Sequence, residues 1–255
     1  MKIGIIGMGN MGGAIAKAFA SQTASPIELW IADINTVATS AFKSVYQSTV
    51  VSTNKELAKQ VDIVILAVKP YLVEAVLGEI APHVTNDKLV VSIAAGVLCE
   101  IYEKMLPETA VFRVIPNTAV SVNEAMNFVA TTNGTAEQTQ QIIQLFETTG
   151  KTLLIDEPLM SAATSLASCG IAYALRYLRA AGEGGVALGF SAEKAHVIVA
   201  QTMIGAAKLI LENHTHPEAE IDKVCTPGGW TIKGLNAMEE AGFTNAVIKG
   251  LLQNR

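Results

Sequence analysis

The stretch that decides the fold is KIGIIGMGNMGGAIAKAFA, Lys2–Ala20. A short, mainly apolar run over residues 2–6 is followed by G-x-G-x-x-G at residues 7–12 and then by a helical pattern. Such a glycine pattern is weak alone, but between a strand and a helix it has the context that dinucleotide binding needs. The glycines permit a tight turn and let a pyrophosphate approach the amides of the helix N-terminus. The stretch therefore predicts a dinucleotide-binding turn, with a ligand-free strand–helix turn as the alternative.

An acidic residue is expected at the end of the second strand, about 20 residues after the glycines, where it accepts the ribose hydroxyls of NAD. Asp33 in LWIAD lies 21 residues after Gly12. A carboxylate repels the 2′-phosphate of NADPH, and no Arg or Lys occurs between Asp33 and Lys43. On charge, the residues favour NADH. The alternative role for Asp33 is the N-cap of a helix that begins at Asn35.

Strand and helix patterns alternate as far as about Asp156, and only helical patterns follow. This alternation predicts an α/β fold, a Rossmann-type doubly wound parallel sheet over residues 1–156 followed by an all-α domain over 157–255. In the second domain we expect a long helix over residues 159–185, a loop or turn at EGGVALGF (183–190), and a last helix from about Gly228. Its helices are rich in small residues and apolar on several sides, so we expect helices of a second chain to cover them.

The composition limits the classes of partner. The 255 residues carry a net charge of −5 and a pI of about 5.4, with no dense basic run, which disfavours a nucleic acid or an anionic membrane surface as partner. Three scattered cysteines suit a reducing compartment. No uninterrupted apolar run approaches the ~20 residues that span a bilayer. We therefore expect a soluble, cytoplasmic protein with no membrane association.

Five stretches follow one another in a specific order: IGIIGMGNMGGA (3–14), VVSTNKELAKQVDIVILAVKP (50–70), VVSIAAGV (90–97), FRVIPNTAV (112–120) and VCTPGGWTIKGLNAME (224–239). Together they resemble the pyrroline-5-carboxylate reductase family, and the last is similar to the family signature S-P-G-G-x-T. The resemblance covers nearly the whole chain. It implies reduction of 1-pyrroline-5-carboxylate to L-proline by hydride transfer from NAD(P)H, the last step of proline biosynthesis.

The resemblance also implies roles for individual residues. Those expected to bind the cofactor are Ile6, Gly7, Met8, Gly9, Asn10 and Met11 at the pyrophosphate, Asn54 at the adenosine ribose, Ala67, Val68, Lys69 and Pro70 along the cofactor, and Ile93, Ala94 and Ala95 at the nicotinamide. Those expected around the substrate are Asn117, Thr226, Gly228, Gly229 and Thr231. Most members of the family prefer NADPH, which leaves the preference between NADPH and NADH open. The family further implies a homodimer formed through the helical domain, with a larger ring as an open alternative.

The segment CTPGGWT (225–231) has its own chemical interpretation. Thr226 is expected to be a helix N-cap and Pro227 the first helical residue, so that the amides of Gly228 and Gly229 are free to bind a carboxylate. A plain Pro-Gly turn is the alternative. Thr231 is the candidate catalytic residue, and it is expected to hydrogen-bond the ring nitrogen and orient it rather than act as a strong acid.

Other interpretations remain open. Ile171 stands where the family usually has proline, and Trp230 where it has a small or hydroxylated residue, so a non-catalytic nucleotide-binding paralogue is one alternative. A β-hydroxyacid dehydrogenase or an imine reductase of the same architecture is another. The β-hydroxyacid dehydrogenases have a catalytic lysine in the first long helix of the second domain. Residues 160–182 of this chain contain two arginines and no lysine, which argues against that alternative. No metal is expected, because His214 and His216 have no carboxylate or thiol at ligand spacing.

Overall fold

The computed structural model of the chain describes residues 1–22, 27–47 and 49–253. The chain divides into two compact units, Met1–Ser168 and Cys169–Arg255. Residues 157–168 belong to the first unit, where Met160 and Ala163 pack against Ile115 and Phe128. The domain boundary predicted between residues 156 and 157 stays a prediction, and the compact units divide 12 residues after it.

The first unit is built on one sheet. Within the described residues its strands are β1 (Lys2–Ile6), β2 (Glu28–Ala32), β3 (Val50–Val51), β4 (Ile63–Leu66), β5 (Leu89–Ser92), β6 (Ala110–Ile115), β7 (Ala125–Ala130) and β8 (Gly150–Leu154). Their order in the sheet is β3-β2-β1-β4-β5-β6-β7-β8. Neighbouring strands from β3 to β6 are parallel, β7 is antiparallel to β6, and β8 is parallel to β7. This confirms the expected doubly wound parallel sheet, apart from the antiparallel pairing of β7 with β6.

Helices cover both faces of this sheet, which is why the central strands are mainly apolar. One apolar layer contains Phe19 and Phe146 from two helices, and the other contains Leu57, Leu77 and Tyr102 from three more. The α-helices of the first unit, as far as the structure describes it, are α1 (Asn10–Ala20), α2 (Thr36–Val45), α3 (Asn54–Gln60), α4 (Val73–Ile80), α5 (Cys99–Met105), α6 (Ala136–Glu147) and α7 (Met160–Ala163). From α7 the chain continues into the π-helical segment Thr164–Cys169.

The described part of the second unit is helical: α8 (Gly170–Ala187), α9 (Ala192–Asn213), α10 (Pro217–Val224), α11 (Trp230–Glu240) and α12 (Phe243–Leu252). Two predictions were wrong here. Residues 183–187 of EGGVALGF continue α8, because the missing Cβ atoms of Gly182 and Gly185 allow close approach to His196 and Ala195 of α9. The last predicted helix is two helices, separated at Gly242, whose φ is 80°.

Large apolar side chains remain exposed on the helices of the second unit, including Leu175, Val197, Leu211 and Ile248. By length and composition alone, the helical stretches Glu157–Ala187 and Ala192–Asn213 are sufficient to cross a membrane. No uninterrupted apolar run of that length was expected, and none is needed for this criterion: polar residues interrupt both helices, but their mean hydropathy is still 1.3. They are also the helices that we expect a second chain to cover.

Candidate functional site

The carboxyl ends of four adjacent parallel strands form one edge of the first unit. Ile6 pairs with Ala32 on one side and Leu66 on the other, and Leu66 pairs with Ser92. The residues that follow these strands are held together by main-chain hydrogen bonds: Gly7 N to Ala32 O (2.8 Å), Ala67 N to Ile6 O (2.8 Å) and Ile93 N to Leu66 O (3.0 Å). The strand order reverses direction between β1 and β4, which is where open α/β sheets bind ligands.

The three glycines of the first motif have different surroundings. Gly7 has a φ of 102°, and a Cβ there would lie 2.6 Å from Ala67 O. A Cβ on Gly12 would overlap Gly7 O, so this glycine allows α1 to pack closely on the turn. A Cβ on Gly9 would meet no described atom within 4 Å. Packing within the chain therefore explains Gly7 and Gly12, whereas Gly9 leaves open space at the start of α1.

The start of α1 fits a pyrophosphate. Gly9 is its N-cap residue, and no side chain of the described residues caps the helix. The N–H groups of the first turn therefore keep their hydrogen-bonding capacity for a ligand, and the helix dipole favours an anion there. Because Gly9 has no side chain, a phosphate group can approach the backbone closely at this position. These features match the dinucleotide phosphates that the sequence predicts.

Asp33 lies directly after β2 and faces the glycine turn. Its Oδ2 accepts a hydrogen bond from Met8 N at 2.5 Å, and its Oδ1 accepts one from Asn35 N at 2.7 Å. The alternative role of Asp33 as a helix N-cap is wrong, because Asn35 caps α2 by accepting from Val37 N and Ala38 N. Asp33 is therefore a carboxylate fixed at the ligand edge of the sheet.

The other predicted cofactor residues lie on neighbouring connections. Asn54 is the first residue of α3, and its Nδ2 donates to Glu79 Oε2 at 2.9 Å. Ala67 and Val68 are half-buried after β4, while Lys69 and Pro70 are exposed. Ile93, Ala94 and Ala95 follow β5, with Ala94 buried and Ala95 exposed. The first unit thus brings the turn, Asp33 and the connections after β4 and β5 to one edge; their roles remain predictions.

A buried polar network lies beside the connection after β5, and sequence reasoning missed it. Glu157 Oε1 accepts from Arg113 Nη1 and from Cys99 N, both at 2.7 Å. Ser92 Oγ lies 2.5 Å from Tyr102 Oη and accepts from Ala94 N at 3.2 Å. Arg113 in the apolar run AVFRVI was the available signal, since a charge in a buried strand needs a partner. Its partner, Glu157, is 44 residues away in the sequence.

Burial sets the protonation of this network. Burial acts to raise the pKa of Glu157, but the hydrogen bonds from Cys99 N–H and Arg113, together with the charge of Arg113, hold it below its usual range. Burial, and then the hydrogen bond and charge of Glu157, raise the pKa of the Cys99 thiol to about 12. Burial also raises the pKa of Tyr102. At neutral pH the network therefore contains a carboxylate, a thiol and a phenol, so Cys99 is not a nucleophile.

Asn117 is the predicted substrate residue that belongs to the first unit. It is buried after β6, where its Oδ1 accepts from Ala119 N at 3.1 Å and its Nδ2 donates to Ala167 O at 3.5 Å. Ser168 Oγ also donates to Pro116 O at 3.1 Å. The Asn117 amide is therefore fixed between a short 3₁₀ turn and the π-helical segment.

The remaining predicted substrate residues lie in the second unit, around the start of α11. The prediction of Thr226 as N-cap and Pro227 as first helical residue was wrong, because α11 begins at Trp230 with Gly229 as its N-cap. Residues 226–229 form a β-turn in which Gly229 N donates to Thr226 O at 2.9 Å. Gly228, with φ of 70°, follows Pro227 as a type II turn requires. The turn presents the helix start rather than forming part of it.

The start of α11 has unused donors. Gly229 N is engaged in the turn, and no side chain among the described residues caps the helix. The N–H groups of Trp230, Thr231 and Ile232 belong to the first helical turn and have no partner within the helix. Thr231 is exposed at the second helical position, and Trp230 is 91% exposed beside it. The Thr231 hydroxyl, the first-turn amides and the Trp230 indole therefore all lie at the N-terminal end of α11.

Two further sequence features have simple positions. Ile171, where the family usually has proline, is the second residue of α8, directly after the π-helical segment. His216 caps α10 by accepting a hydrogen bond from Glu218 N at 3.2 Å. His214 ends α9 in a left-handed conformation. Both histidines therefore have helix-terminal roles that need no ligand.

Comparisons with known proteins cover both units. A family model described as pyrroline-5-carboxylate reductase dimerisation matches residues 157–254, and one described as NADP oxidoreductase, coenzyme F420-dependent, matches residues 2–96. The pyrroline-5-carboxylate reductase of Methanosarcina acetivorans is 36% identical over 255 residues, covering 97% of this chain and 94% of that protein. The enzyme of Escherichia coli is 35% identical over 254 residues, covering 98% of this chain and 94% of that protein.

A solved structure is similar over the same extent. The crystal structure of Plasmodium falciparum pyrroline carboxylate reductase with NADP bound superimposes with a TM-score of 0.86 at 28% sequence identity. The match covers 100% of this chain and 95% of that one. The architecture is therefore shared over nearly the full length with one group of enzymes.

Proposed function

This chain belongs to the pyrroline-5-carboxylate reductase family, and we infer that it reduces the C=N bond of 1-pyrroline-5-carboxylate to give L-proline, the last step of proline biosynthesis. The enzyme is an NAD(P)H-dependent oxidoreductase. The observation that carries the assignment to this chain's own residues is the pair of uncapped helix starts, at Gly9 in the first unit and at Gly229 in the second. One suits a pyrophosphate and the other a carboxylate.

The dinucleotide is assigned to the edge formed by the connections after β1, β2, β4 and β5. The first-turn amides of α1 bind the pyrophosphate, and Gly9 leaves room for it. Asp33 and Asn54 are assigned to the adenosine ribose. Residues 67–70 are assigned to contacts along the cofactor, and residues 93–95 to the nicotinamide. When bound, NAD(P)H supplies the hydride, and the chain's residues supply position.

The substrate carboxylate is assigned to the start of α11. Three amides and the helix dipole bind an anion there without a basic side chain. Gly228 and Gly229 shape the turn that exposes these amides, and Thr226 closes it through its carbonyl oxygen. Asn117 of the first unit is proposed to bind the substrate through its side-chain amide. Hydride transfer requires reacting atoms about 3–3.5 Å apart, which sets the distance between the bound nicotinamide and the imine carbon.

Thr231 is assigned to the ring nitrogen. A protonated imine is already electrophilic: hydride adds to the imine carbon while the C=N electron pair moves to nitrogen, which yields the secondary amine. The iminium N–H donates to the Thr231 hydroxyl, which holds the ring in the reactive orientation. A hydroxyl of ordinary pKa does not need to transfer a proton in this step.

Asp33 favours NADH over NADPH in this chain. Its carboxylate is fixed at the ribose side by Met8 N and Asn35 N, and a 2′-phosphate there would meet a negative charge. The segment from Asp33 to Phe42 provides no cationic side chain to offset that charge. The related crystal structure contains NADP, so this preference is a property that we propose for this chain alone.

The working assembly is proposed to be a cytoplasmic homodimer formed through the helical unit, with a larger ring as a further level. The match of residues 157–254 to the dimerisation model supports oligomerisation. The exposed apolar side chains of α8, α9 and α12 supply the surface that a second copy would cover. Analytical ultracentrifugation tests the assembly, and a monomer at micromolar concentration would contradict it.

The function is tested by initial rates on 1-pyrroline-5-carboxylate with NADH and with NADPH, for the wild type, Thr231→Ala and Thr231→Ser. We expect wild-type turnover to be faster with NADH, and Thr231→Ala to lower kcat by about tenfold or more while the fold is retained, as loss of an orienting hydrogen bond implies. Thr231→Ser keeps the hydroxyl and should recover most of the rate. Unchanged kinetics in Thr231→Ala would remove Thr231 from the mechanism. Turnover of β-hydroxyacids in place of the imine would contradict the assigned reaction.

A further inference from the structure

The hydroxyl pair formed by Ser92 and Tyr102 is buried beneath the connection that follows β5. Ser92 is 1% exposed and Tyr102 is 0% exposed. Ser92 Oγ lies 2.5 Å from Tyr102 Oη, and the same Oγ accepts the Ala94 N–H at 3.2 Å. Three polar groups from a strand end, a helix and a loop are therefore joined in an apolar environment.

Packing alone does not require this pair. Tyr102 belongs to an apolar layer with Val90, Leu106 and Val111, where a phenylalanine ring would fill the same space. Burying two hydroxyls costs free energy unless each finds a partner, and their hydrogen bond with each other offsets that cost without a large gain. What the pair adds is a fixed acceptor for the amide of Ala94.

The connection is held at its far end by a second set of polar contacts. Cys99 N, at the start of α5, donates to Glu157 Oε1 at 2.7 Å, and Arg113 Nη1 holds the same oxygen at 2.7 Å. Between these anchors, Ala95 and Gly96 are exposed, and Gly96 turns the chain with φ of 77°. Residues 93–98, here called the nicotinamide segment, thus form a turn that is exposed at Ala95 and Gly96 and is fixed at both ends by polar contacts.

We propose that Tyr102 is a positioning residue for hydride transfer: through Ser92 it holds the nicotinamide segment in the conformation that orients the nicotinamide ring. This rests on the proposed function, which places the nicotinamide against residues 93–95. Tyr102 does not touch the cofactor. Loss of its hydroxyl frees Ser92 Oγ to rotate, loosens the Ala94 amide and lets the ring occupy unproductive orientations, while the adenosine and pyrophosphate contacts stay intact.

The test compares Tyr102→Phe with Thr149→Val as the matched control. Thr149 is also fully buried in the first unit, but its hydroxyl donates to Phe146 O and accepts from Asn127 Nδ2. Calorimetry measures the Kd of each variant for the reduced dinucleotide that the wild type binds more tightly, and for ADP-ribose, which lacks the nicotinamide. Hydrogen–deuterium exchange of the ligand-free protein follows the amides of residues 93–98.

We expect Tyr102→Phe to raise the dinucleotide Kd about fivefold, as loss of one hydrogen bond implies. The ADP-ribose Kd should stay unchanged, and exchange in residues 93–98 should accelerate. Its kcat should fall by more than its dinucleotide KM rises. Thr149→Val should leave the ratio of the two dissociation constants and the exchange of this segment unchanged. The proposal would be overturned if folded Tyr102→Phe had the wild-type ratio of the dinucleotide Kd to the ADP-ribose Kd and wild-type amide exchange in residues 93–98.

Folding of the variants is checked by circular dichroism. If Tyr102→Phe does not fold, Ser92→Ala is measured in the same way with the same expected results, and failure of both to fold would also overturn the proposal, because the pair would then be needed for the fold itself. Wild-type turnover of 1-pyrroline-5-carboxylate is recorded alongside. A wild type that binds dinucleotide but does not reduce the imine contradicts the proposed function and leaves the binding and exchange results to decide the role of Tyr102.

Discussion

The carboxylate of Asp33 accepts a hydrogen bond from the backbone N–H of Met8, at 2.5 Å, across the boundary between β2 and the glycine turn. The second oxygen of the same carboxylate accepts from Asn35 N at 2.7 Å. Both oxygens are thus fixed by backbone amides, and the negative charge is held where the adenosine ribose is expected. We therefore expect this charge to discriminate between NADH and NADPH by repulsion of the 2′-phosphate as well as by hydrogen bonding to the ribose.

Asp33→Asn is expected to shift cofactor preference towards NADPH. The substitution keeps an oxygen acceptor and removes the charge, and like charges about 4 Å apart near a protein surface repel by about 4 kcal/mol. The ratio of kcat/KM for NADPH to that for NADH should therefore rise about tenfold or more. The control is Asp62→Asn, since Asp62 also accepts a backbone N–H, from Lys2, at the opposite ends of the strands. Equal shifts in both variants would refute the role of Asp33.

Gly9→Ala is expected to weaken dinucleotide binding without weakening the fold. A Cβ at Gly9 meets no described atom within 4 Å, so it enters only the space assigned to the pyrophosphate. The Kd for ADP-ribose, measured by calorimetry, should rise about tenfold or more, and the unfolding free energy should stay within about 0.5 kcal/mol. Gly78→Ala, in α4, has the same open surroundings and should bind ADP-ribose like the wild type. Normal binding by Gly9→Ala would exclude this phosphate position.

Gly229→Ala is expected to raise the KM for the substrate. A Cβ there would overlap Thr226 Oγ1 and lie 2.9 Å from Thr226 O, so the turn has to shift and carry the start of α11 with it. Gly234→Ala in the same helix meets no described atom within 4 Å and should stabilise α11 by up to about 1 kcal/mol. Steady-state kinetics at saturating dinucleotide separates the two variants. A similar substrate KM in both would contradict carboxylate binding at this helix start.

Glu157→Gln is expected to destabilise the first unit at neutral pH by about 3 kcal/mol, because it leaves the buried Arg113 without a charged partner. The pKa of Glu157 is lower in the folded state than its ordinary value of 4.5, so its stabilising effect is present above pH 4.5 and is lost as the pH falls through the folded pKa. Denaturant titrations at several pH values should show a smaller acid loss in the variant.

The control for this pH experiment is Glu56→Gln. Glu56 pairs with Lys59 on the surface, where ion pairs contribute little. Its removal should leave both the stability at neutral pH and the acid dependence near those of the wild type. An acid profile of Glu157→Gln identical to that of the wild type would show that the buried pair does not contribute to the pH dependence.

The fold was predictable where local chemistry and periodicity agree. A strand followed by G-x-G-x-x-G and then a helix has few structural solutions, and Asp33 at the end of the next strand narrows them to a dinucleotide-binding sheet. Apolar strands such as residues 63–66 are covered on both faces, so their continuous hydrophobicity identified a parallel sheet. The division into an α/β half and a helical half was predicted from the change near residue 156, where alternating strand and helix patterns give way to helical patterns alone.

The errors arose where tertiary contacts override local preference. A loop or turn was expected over residues 183–190, yet α8 continues to Ala187 because Gly185 lets Ala195 approach. Thr226 and Pro227 have ideal capping chemistry, but the positive φ of Gly228 places them in a separate turn. The contacts of Glu157 with Arg113 and Cys99 join distant parts of the chain, and nothing in a local window identifies them.

Because apolar side chains are exposed on α8 and α9, we expect the stability of the second unit to depend on the protein concentration. If a second copy covers them, then unfolding and dissociation share one equilibrium, and dilution alone lowers the melting temperature. A variant subunit that folds poorly would then also lower the stability of wild-type subunits, because the two would form mixed, less stable assemblies.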